Sequence, residues 1–283
     1  MVSRAELFAQ CRGLIALRDE ESADFDTTCI FQDMLGEKFP MFTPKALVTD
    51  EKAAEILTLA KRRSEGYPLQ YLLGQWEFWG CNFRIGEGVL IPRPDTETLV
   101  EQVLDICHKK GLKAPKIADL CSGSGCIAVA LKKEIPMADV YAVELSEKAL
   151  YYLRQNTVLN GCSDIKIISG DVLKRETARQ IAELDILVSN PPYLTAQDMS
   201  ELMTEVRHEP ESALFGGEDG LDFYRVITEV WKSSVKDDGY IVYEFGLEQH
   251  DAVKAILERN GFRDVELKRD GAGIIRTAAA VKR

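Results

Sequence analysis

The 283-residue chain has little of what several enzyme classes require. It holds three histidines, His108, His208 and His250, none at a helical ligand spacing. A hydrolase built on a histidine-ligated metal is therefore not expected, and no metal site is assigned. Its seven cysteines are scattered singly, without a Cys-x-x-Cys pair; the closest, Cys121 and Cys126, are five positions apart across a Gly-rich stretch. That speaks against a disulfide framework or structural zinc and fits reduced thiols in a cytoplasmic protein. No apolar run approaches the ~20 residues that span a bilayer. The opening segment, MVSRAELFAQCRGLIALRDE, lacks the uninterrupted apolar stretch of a signal peptide. Positive charge is short as well: 35 Lys and Arg against 46 Asp and Glu leave a formal net charge of -11. Nucleic acids are held mainly by Lys and Arg neutralising phosphates, so direct nucleic-acid binding is not expected. The clusters Lys61-Arg62-Arg63 and Lys109-Lys110 read as solvated helix faces.

What is present divides into parts. Residues 1–73 read as a small all-α bundle. Ser3 with Glu6 three positions on forms a capping box, and Leu7, Cys11, Leu14 and Ile15 share one face. A second helix is expected from Thr27 to about Gly36. A third runs from Asp50 to about Gly66, with Ala53, Ala54, Leu57 and Ala60 as its buried stripe. Phe39-Pro40 and Thr43-Pro44 break the pattern between them. Aromatics at Trp76, Phe78, Trp79 and Phe83, separated by Gly80 and then Gly86, mark 74–90 as a β-hairpin linker. From 91 to 283, strands alternate with helices. Strands are expected at 116–120, 140–143, 165–168, 185–189 and 240–245, with two consecutive ones at 265–268 and 274–281. Helices are expected at 127–133, 146–160, 221–235 and 248–260. This alternation implies an α/β domain with a mainly parallel sheet covered on both faces and a final antiparallel hairpin.

The first chemical signal is Ile117-Ala-Asp-Leu-Cys-Ser-Gly-Ser-Gly-Cys-Ile-Ala128. A strand runs through Cys121, Ser122, Gly123, Ser124 and Gly125 straight into a helix, so backbone can approach a ligand at a helix N-terminus. Glu144, about 20 residues on at the end of the next strand, can accept hydrogen bonds from both hydroxyls of a ribose. Asp171 and Val172, after the third strand, form a further candidate. Loop and acid together point to an adenosine-containing cofactor, without choosing between a nicotinamide dinucleotide and S-adenosylmethionine.

Ser189-Asn190-Pro191-Pro192-Tyr193 ends the fourth strand, at the sheet edge where ligands of open α/β sheets bind. An amide or exocyclic amino nitrogen is a poor nucleophile because its lone pair is delocalised. Two acceptors aimed at its N–H groups can draw it toward tetrahedral geometry. The Asn190 side-chain carbonyl and the Pro191 backbone carbonyl can be those acceptors. The prolines stiffen the loop, and Tyr193 can stack on a planar group. Such catalysis is positioning and electrostatic complementarity, with no strong base.

Asn-Pro-Pro-Tyr after a Gly-x-Gly loop is similar to amino methyltransferases acting on adenine, cytosine or glutamine amides. The flanks narrow this. Pro68-Leu-Gln-Tyr-Leu-Leu-Gly74, Trp76-Glu-Phe78, Leu90-Ile-Pro-Arg-Pro-Asp-Thr-Glu97, Glu205-Val206, Glu209-Pro210 and Ala213-Leu-Phe-Gly-Gly-Glu-Asp-Gly-Leu221 with Tyr224-Arg225 resemble the PrmC/HemK family. The resemblance implies a class I, Rossmann-like, seven-stranded methyltransferase domain at 91–283. It implies S-adenosyl-L-methionine as cofactor, leaving as S-adenosyl-L-homocysteine, held by residues 121–125, Glu144, Asp171, Val172 and Asn190. The methyl acceptor would be the glutamine amide in the Gly-Gly-Gln motif of class 1 peptide chain release factors. Asn190, Pro191, Pro192, Tyr193, Arg93 and Thr98 would hold that acceptor, and the helical domain would grip the factor. The enzyme would be a cytoplasmic monomer. Two positions depart from the family pattern. Cys121 replaces the usual Gly, which leaves the loop shape intact as long as Cys121 avoids positive φ. Glu144 stands where Asp is common. A DNA adenine amino methyltransferase shares the motif but needs a basic recognition region. A nicotinamide-dependent oxidoreductase would leave Asn-Pro-Pro-Tyr idle, and a non-catalytic binding module would not need it.

Overall fold

The structure is a computed structural model describing residues 1–36 and 43–283. The expected break at Phe39-Pro40 lies outside the described residues. The chain divides into two compact units: Met1–Gly74 with Met203–His208, and Gln75–Leu202 with Glu209–Arg283.

The first unit contains β1 (Val2–Ser3), α1 (Arg4–Ala16), α2 (Ala23–Leu35), β2 (Leu47–Val48), α3 (Asp50–Ser64) and α4 (Leu69–Leu73). Ser3 and Glu6 cap α1 reciprocally, as their spacing predicts. Leu7, Cys11 and Ile15 are buried, with Leu14 half-buried. The helical reading misses the antiparallel pairing of β1 with β2, Val2 opposite Val48. It also starts α2 late. The helix begins at Ala23, so Asp26 lies inside it and is buried.

The α3 stripe needs correction. Its buried residues are Ala53, Ile56, Ala60 and Arg63, a clean three-and-four spacing, whereas Ala54 is exposed and Leu57 half-buried. Arg63 does not lie on a solvated face. It is 8% exposed, with Nε 2.6 Å from Asp26 Oδ2 and Nη1 2.9 Å from Glu205 Oε1. Arg18 donates to the same Glu205 at 3.1 Å. A buried carboxylate such as Asp26 is tolerated only with a paired cation, and no periodicity rule carries that information.

The second unit opens with a hairpin, β3 (Gln75–Phe78) and β4 (Cys81–Arg84), then α5 (Glu97–Lys110), β5 (Lys116–Leu120), α6 (Cys126–Glu134), β6 (Asp139–Glu144), α7 (Glu147–Leu159), β7 (Lys166–Ser169), α8 (Arg175–Ala178), β8 (Leu184–Ser189), α9 (Ala196–Ser200), α10 (Asp222–Trp231), β9 (Val235–Glu244), α11 (His250–Arg259), β10 (Phe262–Arg269) and β11 (Ile275–Lys282). The seven-stranded sheet has the order β10-β11-β9-β8-β5-β6-β7. The last five of these are mutually parallel, while β11 runs antiparallel to both β9 and β10. This is the expected α/β architecture. The sequence reading overlooks α5, whose apolar face of Leu99, Val100, Val103, Ile106 and Cys107 is buried; the preceding Pro92-Arg93-Pro94 reads as loop and masks its start.

Trp231, Tyr224, Tyr243, Phe245 and Phe262 are fully buried in the main core with Leu187 and Ile241. Burying each large apolar side chain contributes ~1.5–3 kcal/mol. The indole N–H of Trp231 donates to Val172 O at 2.8 Å, so no polar cost remains there. Fully buried Asn156 of α7 ties two loops together. Its Oδ1 accepts from Arg84 N at 2.7 Å, and its Nδ2 donates to Arg84 O and Ser124 O, each at 2.9 Å. The hairpin and the Gly-rich loop are thereby held by one side chain.

Arg63→Ala leaves Asp26 buried and unpaired. The expected cost is ~3–5 kcal/mol, read as a fall in the urea midpoint followed by circular dichroism.

Candidate active site

Parallel pairing puts the carboxyl ends of β5, β6, β7 and β8 at one edge of the sheet. A cavity of about 770 Å³ lies there, within the usual range for small-molecule sites. Cys121, Ser122, Gly123, Ser124, Glu144, Asp171, Val172, Asn190, Pro192 and Arg93 all line it. Phe215 and Phe223, from the segments after β8, add an apolar wall that sequence reading did not single out.

The loop after β5 is built to face a carboxylate. Ser122 Oγ donates to Asp119 O at 2.7 Å, and Gly125 N donates to Ser122 O at 2.8 Å. The Gly123 N–H points at Glu144 Oε2, 2.8 Å away. The other oxygen of Glu144 accepts from Leu145 N and Ser146 N, both at 2.8 Å. Both lone pairs of Oε1 are thereby taken, and Oε2 has one left for a ligand. Gly125 turns toward α7, where an added Cβ would lie 2.4 Å from Leu153 Cδ1, so it supports the loop rather than lining the cavity. Asp171 accepts from Leu173 N at 2.9 Å.

Cys121 does not avoid positive φ. It sits at φ 60°, in the left-handed region that costs a side-chain-bearing residue ~1–2 kcal/mol. The usual Gly at this position is thus explained by backbone shape, and the chain carries the strain without changing the turn. Burial and then Glu144 push the Cys121 thiol well up, with Asp119 and Asp171 adding to the effect. A thiolate nucleophile is disfavoured there. Behind the loop, fully buried Asp119 is pushed up to about 8, chiefly by burial. One of its oxygens accepts from Ala128 N at 3.2 Å, and the other has no partner among the described residues.

These groups discriminate between the two adenosine cofactors. Glu144 and Asp171 line the cavity, while Arg93, which lines it too, is paired with Glu209. Like-charge repulsion makes this a poor cradle for a diphosphate and a good one for a cation. The Gly123 N–H, which a diphosphate would need, is already given to Glu144. The donor set fits a ribose-bearing sulfonium.

The loop after β8 is clamped from several sides. Leu194 N donates to Leu214 O at 2.8 Å, and Gly216 N donates to Leu194 O at 2.9 Å. Gln249 Nε2 donates to Tyr193 O at 3.0 Å. Backbone approaches closest at Gly220, where φ is +70° and an added Cβ would lie 2.2 Å from Tyr193 O; at Gly216 it would lie 2.6 Å from Pro192 O. The Gly-Gly-Glu-Asp-Gly segment exists to let this loop sit close. Asn190 Nδ2 donates to Thr96 Oγ1 at 3.2 Å, which leaves the side-chain carbonyl for another partner.

Three further expected residues do not line the cavity. Pro191 is buried, and Tyr193 is half-buried with its ring against the core; burial raises its phenol. Thr98 is buried within α5. Thr96, two positions earlier, lines the cavity in its place, because the short 3-10 turn Pro94–Thr96 aims it there. Arg93 is at the wall, and Glu209, whose side chain is 1% exposed, also accepts from Ile91 N at 3.0 Å. Glu244, 1% exposed at the end of β9, was missed. An acid inside the apolar run Tyr-Ile-Val-Tyr-Glu-Phe was the signal available. Among the described residues, no three His, Cys, Asp or Glu side chains are grouped to hold a metal ion, and no helix is long and apolar enough to cross a membrane.

A cavity acidic toward one end and bounded by an amide-bearing, proline-stiffened loop, on this sheet order, places the chain among the class I methyltransferases. The family model described as methyltransferase small domain matches residues 95–217, and that described as PrmC N-terminal domain matches residues 6–74. The chain is 39% identical to the release factor glutamine methyltransferase of Thermodesulfovibrio yellowstonii, over 85% of each chain. It is 36% identical to the protein of that name from Geobacter sulfurreducens, over 94% of this chain and 92% of the other. The solved hMettl16 catalytic domain shares the fold, with a TM-score of 0.57, 16% identity and 83% of each chain covered. The chain belongs to the release factor glutamine methyltransferase family.

Two outcomes test this geometry. Because position 121 is left-handed, Cys121→Gly should be more stable than Cys121→Ala by about 1 kcal/mol in urea denaturation, reversing the usual order of the two residues. Gly220→Ala should move the Tyr193 carbonyl and lower methyl transfer by ~100-fold, with the fold retained by circular dichroism.

Proposed function

We propose that this chain transfers a methyl group from S-adenosyl-L-methionine to the side-chain amide nitrogen of the glutamine in the Gly-Gly-Gln motif of class 1 peptide chain release factors. The observation that carries it is Asn190, whose amide N–H is committed to Thr96 at the edge of the cavity. The carbonyl so freed is the acceptor that a glutamine amide needs. Relatives bearing the release factor glutamine methyltransferase name match over most of both chains.

S-adenosyl-L-methionine, when bound, supplies an electrophilic sulfonium methyl. Glu144, through Oε2, would accept from its ribose, and Asp171 with Val172 would meet its adenine. The loop of residues 121–125 would run beside it, and the surrounding carboxylates favour its positive charge. Asn190 Oδ1 and the Pro191 carbonyl would accept the two N–H groups of the glutamine amide and draw its lone pair out of conjugation. Pro192 keeps the loop rigid, and Tyr193, with its ring against the core, anchors it from behind. Arg93, held by Glu209, would border the acceptor. No side chain has to act as a strong base, because the nitrogen becomes acidic only as it is alkylated. Work is done by positioning.

The helical domain of residues 1–73 would grip the release factor, with the hairpin of 74–90 leading into the methyltransferase domain of 91–283. The enzyme would work as a monomer in the cytoplasm.

The test is transfer of labelled methyl groups to purified release factor and to its Gly-Gly-Gln glutamine-to-alanine variant. Label on the unmodified factor alone, reduced by ~100-fold or more with Asn190→Ala enzyme, is the expected result. Equal labelling of both factors would reject the glutamine as acceptor.

A further inference from the structure

The parallel pairing of β8 with β9 sets Ser189 opposite Tyr243. The next residues, Asn190 just past β8 and Glu244 at the last position of β9, therefore lie side by side. Glu244 is 1% exposed and does not line the cavity, so it is not placed to touch a ligand. The Thr96 hydroxyl and the Asn190 amide both face its carboxylate, whose Oε2 is buried with no hydrogen-bond partner among the described residues. Thr96 Oγ1 in turn accepts from Asn190 Nδ2 at 3.2 Å.

The geometry points to Glu244 as a positioning residue that fixes the Asn190 amide through Thr96, so that Asn190 Oδ1 is the atom turned to the methyl acceptor. An ionised carboxylate only accepts hydrogen bonds. The Thr96 proton then turns toward the open Glu244 Oε2, and Thr96 Oγ1 is left to accept from Asn190. With its amide reversed, Asn190 would set a carbonyl oxygen against a hydroxyl lone pair and a carboxylate. A bare asparagine side chain has no such preference, since its two ends are nearly the same shape. One buried acid thus converts a symmetric-looking group into a directed acceptor. This rests on the reading of Asn190 as the residue that holds the acceptor amide.

The charged surroundings agree. Arg276 of β11 lies near, paired with Asp95 and Asp270 at 3.2 Å each. Tyr193, Tyr224 and Cys126 also face the acid, and burial raises all three, so each is neutral near pH 7. Burial pushes Glu244 up to about 7, opposed by Thr96 and Arg276 and reinforced by Asp95. A protonated Glu244 could donate to Thr96 and release the constraint. Asn190 orientation should therefore weaken as pH falls through the neutral range.

The experiment compares wild type, Glu244→Gln, Thr96→Val and Thr96→Ser. The Asn190 side-chain NH2 signals are first read by NMR in the ligand-free protein, assigned by their loss in Asn190→Ala. In Glu244→Gln and Thr96→Val this pair should shift or broaden, and in Thr96→Ser it should stay. With release factor as acceptor, kcat should fall roughly ten- to hundred-fold in the first two variants and recover in Thr96→Ser. KM for S-adenosylmethionine and the melting temperature should hold. The low-pH limb of kcat should vanish in Glu244→Gln. An unchanged NH2 pair or wild-type kcat in Glu244→Gln would overturn the inference, as would a parallel loss of cofactor binding and stability. If wild type fails to methylate the factor, the acceptor reading falls, while the ligand-free NMR comparison still decides whether Glu244 orients Asn190.

Discussion

Parallel pairing of β9, β8, β5, β6 and β7 is the constraint on which the site depends. Parallel strands all point the same way, so every loop that follows a strand leaves at one edge. Residues far apart in the chain then meet without any direct contact being specified between them. The β5 loop brings Cys121 to Gly125, β6 brings Glu144, β7 brings Asp171, β8 brings Asn190 and β9 brings Glu244. The register is fixed by core packing of the central strands β5 and β8, because a one-residue slip would exchange the side chains that face the two helical layers.

Onto that edge the chain places more negative charge than a neutral ligand requires. Glu144 is satisfied by three backbone N–H groups, which keeps an ionised carboxylate inexpensive. Asp119 is buried behind the loop and Glu244 beside it, and both are raised toward neutrality by that burial. The outcome is a graded field, with a fixed anion where a ribose would sit and titrating acids one layer deeper. The loop after β5 also carries Cys121 in the left-handed region.

Much of this was legible in one dimension because it is written locally. Alternating strands and helices gave the seven-stranded sheet, Ser3 with Glu6 gave the capped start of α1, and the two glycine-bearing motifs marked where a ligand would be approached. What failed to show was whatever depends on a partner remote in sequence. Arg63 reads as part of a basic surface cluster until Asp26 and Glu205 close around it. Thr98 and Thr96 are equally plausible in a string of letters, and only the 3-10 turn ahead of α5 decides that Thr96 faces the cavity.

The sequence by itself therefore determined the fold class, the family and the set of loops that carry chemistry, since each rests on short-range pattern or on contiguous motif. Tertiary structure decided which atoms of those loops are available. Asn190 is recognisable as a hydrogen-bonding residue anywhere, but which end of its amide faces the cavity depends on Thr96, 94 positions away, and on Glu244 from a neighbouring strand. A side chain's donors and acceptors are fixed by its covalent structure. Their direction is set by whatever else is buried beside them, and that is a property of the folded chain alone.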